Sequence, residues 1–138
     1  MERYETYNLV ALMPEQFNSS SLTDSQDGFV LTLRSRSTEP ELILEFGRTP
    51  AIRITYEECL LFSFDGNWDE PNKAIHSFIV HNSKWLSQFN EVELIHYPNP
   101  IHYVFLTIDK VIEIIACEPP TVTQVKPWLA NPSFKRDA

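Results

Sequence analysis

The chain has 138 residues, of which 43% are hydrophobic and 12% aromatic, which fits one globular domain with its own core. Its net charge of −8 disfavours binding to nucleic acid or an anionic membrane, because it has no excess of basic residues to replace counterions. The same charge favours a basic partner. The N-terminus lacks a basic segment followed by an apolar run, and no apolar run approaches the ~18 residues of a membrane helix. We therefore expect a cytoplasmic protein.

The first half of the chain has the periodicity of β-structure. Residues 1–12 fit either a strand or a frayed helix, and the Ser-, Asn- and Asp-rich residues 13–28 predict a long loop. Apolar and polar residues then alternate, as they do in half-buried strands. The predicted strands are residues 29–35, 41–47 and 51–57, with 59–64 as a fourth candidate. Their spacing of about ten residues, with short turns between them, predicts an antiparallel meander.

The middle of the chain has a pattern compatible with a helical stripe, although the string HSFIVH alone looks like a strand. The apolar positions are 75, 78, 79, 85, 86 and 89. Asn82 and Ser83 are good N-cap residues, so we expect a short element through Val80 and a helix over residues 83–90. One continuous helix from Pro71 is the alternative, since proline is well tolerated at the first helical position.

The string HYVFLTIDKVIEIIA predicts a tight antiparallel hairpin. Two β-rich runs, residues 102–108 and 111–116, flank a turn in which Asp109 is most simply a turn residue. Glu113 interrupts the second run and lies on the face opposite the isoleucines beside it. We expect Glu113 either at an exposed edge or paired with a basic residue across the sheet.

These elements predict a single α+β domain over residues 1–138. It would consist of an antiparallel sheet, formed by the meander and the C-terminal hairpin, with one or two helices packed on one face. Residues 1–28 and 117–138 are expected to be irregular or peripheral, the latter because of their four prolines. Cys59 and Cys117 lie in apolar runs and are expected to be buried, reduced thiols.

The string FDGNWDEP, residues 64–71, begins like a calcium-binding loop. Such a loop needs glycine at its sixth position and a bidentate glutamate at its twelfth, and these positions hold Glu70 and His76. We therefore expect a turn and helix cap, with no metal and no other cofactor.

The same loop belongs to a stretch that is rich in acids and has no basic residue between Arg53 and Lys73. Trp68 lies among these acids, and tryptophan is favoured at the centre of protein interfaces. One interpretation is an anchor for a basic protein, and the other is a core tryptophan with solvated acids around it. The predicted partner-binding residues are Glu57, Glu58, Asp65, Asn67, Trp68, Asp69 and Glu70.

No catalytic constellation is evident, so we expect no catalytic residues. The three glycines form no nucleotide-binding motif, and no His/Cys cluster suggests zinc. One alternative is a small hydrolase or metal-dependent enzyme that uses Asp65 or Asp69 with a histidine such as His81 or His102. Another alternative is a structural or adaptor subunit whose exposed strand edge pairs with a second chain.

Three strings, FDGNWDEP, FIVHNSKWLSQF and HYVFLTIDKVIEIIA, together resemble small bacterial immunity proteins of polymorphic, contact-dependent toxin systems. The resemblance covers about residues 50–116. It implies an acidic, cytoplasmic α+β protein that neutralises a cognate toxin, frequently a basic nuclease, by binding it tightly. Our leading hypothesis from the sequence is therefore a non-enzymatic binding protein with a basic toxin domain as its partner.

Overall fold

Two β-sheets make up the described part of this protein. A computed structural model describes residues 2–7, 17–25, 28–35, 41–56, 67–68, 77–108 and 110–125. The first sheet has six strands: β1 (Arg3–Thr6), β5 (Ala51–Tyr56), β6 (Asn67–Trp68), β7 (Ser77–His81), β8 (Ile101–Leu106) and β9 (Lys110–Ala116). The second has four strands: β2 (Ser19–Ser25), β3 (Gly28–Arg34), β4 (Glu41–Phe46) and β10 (Thr121–Val125).

The strand order differs from the order in the chain. The six-stranded sheet runs β5-β9-β8-β7-β1-β6, with antiparallel neighbours except for the parallel pair β1 and β6. The four-stranded sheet runs β10-β4-β3-β2 and is antiparallel throughout. Because β5 lies at one edge of the larger sheet and β6 at the other, the chain between them connects opposite edges.

The two sheets share a buried apolar cluster. Alternation along each strand directs every second side chain to this cluster. Its buried members are Phe17, Leu31, Leu33, Leu42, Leu44, Phe46, Tyr103, Phe105, Ile112, Ile114 and Ala116. The ring centroid of Phe46, on β4, lies 5.8 Å from that of Tyr103 and 6.1 Å from that of Phe105, both on β8. These edge-on aromatic contacts join the two sheets.

The outer face of the six-stranded sheet is also covered. A second buried cluster on this face contains Tyr4, Phe78, Val80, Val104 and Val111. The strands β8 and β9 are therefore buried on both faces, which explains why their sequences read as continuous apolar runs instead of alternating ones.

The α+β prediction is wrong, because the structure is nearly all β. The predicted helix over residues 83–90 is reduced to the single 3-10 turn Leu86–Gln88, after which Phe89 is extended. Asn90 and Glu93 then exchange side-chain to backbone hydrogen bonds of 2.8 and 2.7 Å, which starts a new turn. An apolar stripe this short cannot nucleate a helix unless tertiary packing supports it.

The strand β7 decides between the two predictions made for the middle of the chain. The predicted short element through Val80 is present as a strand, and the alternative of one continuous helix from Pro71 is wrong, because residues 77–81 are extended and paired with β8.

Two segments that we expected to be irregular contain strands. Within the predicted loop of residues 13–28, β2 pairs with β3 along its whole length, and within the tail of residues 117–138, β10 pairs with β4. Both are edge strands of the four-stranded sheet and are rich in serine or threonine. Because hydroxyl side chains suit the half-exposed edge of a sheet, composition alone misled the prediction.

Most of the other strand predictions are confirmed. The predicted strands at residues 29–35, 41–47 and 51–57 correspond to β3, β4 and β5, and the hairpin corresponds to β8 and β9. Of the predicted meander, β3 and β4 pair as expected, whereas β5 leaves it and pairs with β9 in the other sheet. The other neighbour of β3 is β2, from the segment predicted to be a loop. The fourth candidate strand, residues 59–64, lies outside the described residues.

Cys117 is a free thiol at a partly exposed position, so the expectation that it is buried is wrong. Partial burial raises the pKa of this thiol, and the charge of Arg48 acts in the opposite direction. Cys59 lies outside the described residues. Across the described ranges, we find no helix with the length and apolar character needed to cross a membrane.

Gly28 occupies a position that other residues cannot easily take. Its φ angle is +140°, and a Cβ atom placed there would lie 2.1 Å from the carbonyl oxygen of Phe46. We expect Gly28→Ala to lower the free energy of unfolding by at least about 2 kcal/mol, because strain of the backbone adds to this clash. Gly47→Ala is the control, since a Cβ atom at that position would have no neighbour within 4 Å, and it should change stability by less than about 0.5 kcal/mol. Urea unfolding measures both, and similar losses would contradict the prediction.

Candidate functional site

A carboxylate is buried in the six-stranded sheet. Glu113 lies on β9, and its side chain is 3% exposed. A charge in such a place must be paired to be tolerated. Because β5 and β9 pair in the register that sets Arg53 opposite Glu113, the expected partner is present. The prediction that Glu113 pairs with a basic residue across the sheet is confirmed.

The pairing of Arg53 with Glu113 is bidentate. The Nε and Nη2 atoms of Arg53 donate hydrogen bonds of 2.8 and 2.9 Å to the two carboxylate oxygens of Glu113. The planar guanidinium matches the geometry of a carboxylate, so this contact has direction as well as charge. It fixes the orientation of both oxygens.

The imidazole of His102 makes the second contact with the same carboxylate. The Nε2 atom of His102 lies 2.9 Å from the Oε1 atom of Glu113, and both side chains are 3% exposed. Since an ionised carboxylate can only accept hydrogen bonds, Nε2 carries the proton. In the neutral imidazole, Nδ1 is then left as an acceptor.

Ser83 is the hydrogen-bond partner of this acceptor nitrogen. Its hydroxyl oxygen lies 2.7 Å from Nδ1 of His102, and the same oxygen accepts a hydrogen bond of 3.0 Å from the backbone N–H of Leu86. The predicted helix cap at Ser83 is wrong, because the short 3-10 turn has Trp85 at its N-cap position, but the Ser83 hydroxyl does accept a hydrogen bond from the first residue of that turn. This turn is thereby attached to the sheet.

Trp85 completes the cluster. The Cζ atom of Arg53 lies 4.3 Å from the ring centroid of Trp85, and this ring meets the ring of His102 edge-on with centroids 5.2 Å apart. The cation–π contact stabilises the exposed side of the guanidinium. We call Arg53, Ser83, Trp85, His102 and Glu113 the polar cluster. It joins β5, β9, β8 and the turn after β7.

Electrostatics keep Glu113 ionised. Burial by itself raises the pKa of this carboxyl, but the hydrogen bonds from His102 and Arg53, together with their charges, outweigh burial and lower the pKa below its usual value. In the described part of the chain, no buried side-chain nitrogen or oxygen lacks a hydrogen-bond partner. The polar cluster is therefore a fully satisfied network.

An open groove of about 650 Å³ reaches one end of the polar cluster. The groove lies where β7 ends and β8 begins. Its lining residues are Ile79, Val80, His81, Asn82, Ser83, Lys84, Leu86, Ser87, Pro100, Ile101 and His102. Ser83 and His102 thus lie beside a surface depression, at one end of a chain of hydrogen bonds that runs from serine through imidazole to carboxylate.

The predicted partner-binding residues fall largely outside the described part of the chain. Only Asn67 and Trp68 are described, as the short strand β6 beside β1. Five strand spacings separate Tyr56 at the end of β5 from Asn67 in β6, which corresponds to roughly 24 Å. The two ends of the acidic stretch therefore begin at opposite edges of the sheet. The residues that lie outside are Glu57, Glu58, Asp65, Asp69 and Glu70.

The two histidines of the hydrolase alternative both have glutamate partners. His81 Nε2 lies 2.6 Å from Oε1 of Glu5 in an exposed pair, and His102 belongs to the polar cluster. Asp65 and Asp69, the carboxylates named for this alternative, lie outside the described residues, as does the predicted turn residue Asp109. Within the ranges that are described, no group of three or more His, Cys, Asp or Glu side chains could hold a metal ion.

Sequence reasoning missed most of the polar cluster. A signal for Arg53 was available, because Glu113 in an apolar run requires a partner from the opposite strand. Ser83 was recognised only as a cap. His102 was named only as a candidate histidine of the hydrolase alternative, and Trp85 gave no signal. The contacts of His102 with Glu113 and with Trp85 depend on how β8, β9 and the turn pack.

The comparisons with known proteins returned no matching family model, no matching curated protein and no matching solved structure.

We expect Glu113→Gln to lower the free energy of unfolding by about 3 kcal/mol, because it leaves the buried donors of Arg53 and His102 poorly paired. Glu5→Gln removes the glutamate of the exposed pair with His81 and is the matched control. It should cost less than about 1 kcal/mol. Urea unfolding at pH 7 measures both variants, and equal losses would show that the buried pairing contributes no more than the exposed one.

The lowered pKa of Glu113 predicts a specific acid sensitivity. A carboxyl whose pKa is lower in the folded state adds stability that is fully present above its pKa in the unfolded chain. This stability is lost as the pH falls through the folded-state value. As the pH falls below the usual pKa of glutamate, the free energy of unfolding should therefore decrease more steeply for the natural protein than for Glu113→Gln. Parallel curves from urea titrations over that range would contradict this.

Proposed function

We propose that this protein is a non-enzymatic, cytoplasmic binding protein that neutralises a cognate basic toxin domain by tight association. The proposal combines the net charge of −8 with the resemblance to immunity proteins noted above. A strongly acidic surface accelerates encounter with a basic partner and excludes acidic ones. Tight binding also requires apolar anchors that lose their contact with water.

The observation that carries the proposal is a pair of exposed apolar side chains on an edge strand. Ile54 and Tyr56 on β5 are 50% and 56% exposed, and both point to the same face of the sheet. Among the described residues, β5 pairs only with β9, and we place the partner at its other edge. A large aromatic and an isoleucine side by side are the residue types that anchor protein interfaces.

The acidic residues next to this edge indicate what kind of partner would bind there. Tyr56 is followed directly by Glu57 and Glu58, which begin the acidic stretch. A partner that docks on the edge of β5 therefore meets carboxylates at the end of the strand, and a basic protein surface satisfies them. The proposed contact on this edge comprises Ile54, Tyr56, Glu57 and Glu58. Asn67 and Trp68 form β6 at the opposite edge of the sheet, and Asp65, Asp69 and Glu70 lie within three positions of them in the chain, so we assign the charges of these acids to the approach of the partner and not to the contact on β5.

A second exposed apolar site provides a matched control. Val92 and Ile95 are 77% and 70% exposed in the turns after the 3-10 helix, and Glu91 and Glu93 flank the first of them. This site lacks both an open strand edge and the acidic stretch. It tests whether exposed apolar area alone is sufficient for binding.

The test begins with the reading frame next to that of this protein, where the proposal expects a toxin domain and where its absence would count against the function. That domain is purified as the probe and titrated against the full chain. We expect the combined change Asp65→Lys, Asp69→Lys and Glu70→Lys to slow association at least about tenfold at low salt. The difference should shrink at 1 M salt, where charges are screened beyond about 3 Å. Stopped-flow mixing measures the rates.

The control for this variant carries Asp24→Lys, Glu45→Lys and Glu118→Lys, which are exposed acids associated with the other sheet. Each set of three reversals adds six charges, so both variants change from −8 to −2. Equal slowing would move the interface away from the acidic stretch. Absence of binding by the folded natural chain would refute the function.

Replacement of Ile54 and Tyr56 by serine tests the anchors. We expect faster dissociation and at least tenfold weaker binding, or about 1.4 kcal/mol, whereas serine at Val92 and Ile95 should leave the affinity within about twofold. Isothermal titration calorimetry measures both.

Sedimentation distinguishes the adaptor alternative from the binding function, because a subunit that pairs its strand edge with its own copy would self-associate as its concentration rises.

A further inference from the structure

The groove beside the polar cluster combines an apolar lining with a hydrogen-bonded serine. Its apolar lining residues include Ile79, Leu86, Pro100 and Ile101. Its volume of about 650 Å³ falls within the range of small-ligand sites. Ser83 and His102 are both among the residues that line this groove, so a molecule bound there would lie next to the end of the hydrogen-bonded chain.

The polar cluster contains the parts that activate a serine. An activated serine needs a base within hydrogen-bond distance and a third group that orients the base. Ser83 Oγ lies 2.7 Å from Nδ1 of His102, and Nε2 of the same ring lies 2.9 Å from the carboxylate of Glu113. Either ring nitrogen can act as the base when the other carries the proton.

We propose that Ser83 is a nucleophile that accepts an acyl group from an activated ester with an apolar acyl chain. In this step the oxygen of Ser83 forms a bond to the ester carbonyl carbon while its proton passes to Nδ1 of His102. The carbon–oxygen bond to the leaving group then breaks, and the departing alkoxide takes the proton from Nδ1. The products are acylated Ser83 and an alcohol, and His102 returns to its neutral form.

Arg53 limits the reaction to one acylation. Glu113 would stabilise the protonated imidazole, but its charge is already balanced by the bidentate contact with Arg53. The carboxylate therefore offers less stabilisation to the charge that develops when water attacks the acyl group, and deacylation is slow. This site is independent of the proposed binding function, since the groove lies at the end of β7 and the proposed interface lies on β5.

Ser87 provides a matched control within the same groove. Its hydroxyl donates a hydrogen bond of 2.7 Å to the backbone oxygen of Lys84 and has no histidine beside it among the described contacts. A serine that reacts only because it lines an apolar groove would behave like Ser87. A serine that reacts because of His102 would not.

The experiment incubates the full chain with p-nitrophenyl butyrate and follows p-nitrophenol release and intact mass. We expect a burst of about one equivalent and one butyryl group, located on Ser83 by peptide mass spectrometry. Ser83→Ala should remove the adduct, and Ser87→Ala should leave it unchanged. His102→Gln should slow acylation about 100-fold while Ser83 is still present.

Circular dichroism and urea unfolding report whether each variant is folded, since Ser83→Ala also removes the hydrogen bond to Leu86. If that variant does not fold, Ser83→Cys retains a small nucleophile, and iodoacetamide should then modify the introduced thiol faster than the thiol of Cys117. The proposal is overturned if the folded natural chain forms no adduct on Ser83. It is also overturned if the adduct persists in Ser83→Ala or forms equally on Ser87.

Discussion

The ionised carboxylate of Glu113 is the constraint on which the arrangement around the larger sheet depends. A charge buried to this extent is tolerated only when its lone pairs are occupied, and here Arg53 and His102 occupy them from the strands on either side. The Nδ1 atom of His102 is then left as a hydrogen-bond acceptor, and the hydroxyl of Ser83 donates to it. Each polar group thus needs the next one as its hydrogen-bond partner, and this series of contacts extends from the edge strand β5 to the turn after β7.

The polar cluster occupies only one of the two faces of β5. The face of β5 that carries Arg53 is committed to the polar cluster, and its opposite face carries the exposed Ile54 and Tyr56. Because the bidentate contact holds β5 in register, the two apolar side chains are presented in a fixed geometry, which lowers the entropy lost when a partner binds. The polar cluster therefore supports the proposed interface without contacting it.

Particular elements show how far the sequence could be interpreted. Strict alternation predicted β3, β4 and β5, and the hairpin of β8 and β9 followed from two β-rich runs around a turn. The helix was mispredicted because Asn90 and Glu93 end the first turn with hydrogen bonds that a periodicity analysis does not consider. The strands β2 and β10 were missed because their stability comes from pairing with β3 and β4, not from apolar side chains. Of the candidate site, the sequence supplied the need of Glu113 for a partner.

The sequence by itself determined the acidic charge, the alternation that makes strands, and the presence of a glutamate that could not remain unpaired. Those properties are local, since they depend on residue type and on neighbours within a few positions. Only the tertiary structure decided that β5 leaves the meander to pair with β9, because strand partners far apart in the chain are selected by the burial of whole faces. That pairing set Arg53 opposite Glu113, and the packing of the turn on the same face brought Ser83 and His102 together. Contacts of this kind join residues up to 60 positions apart, and no local pattern specifies them.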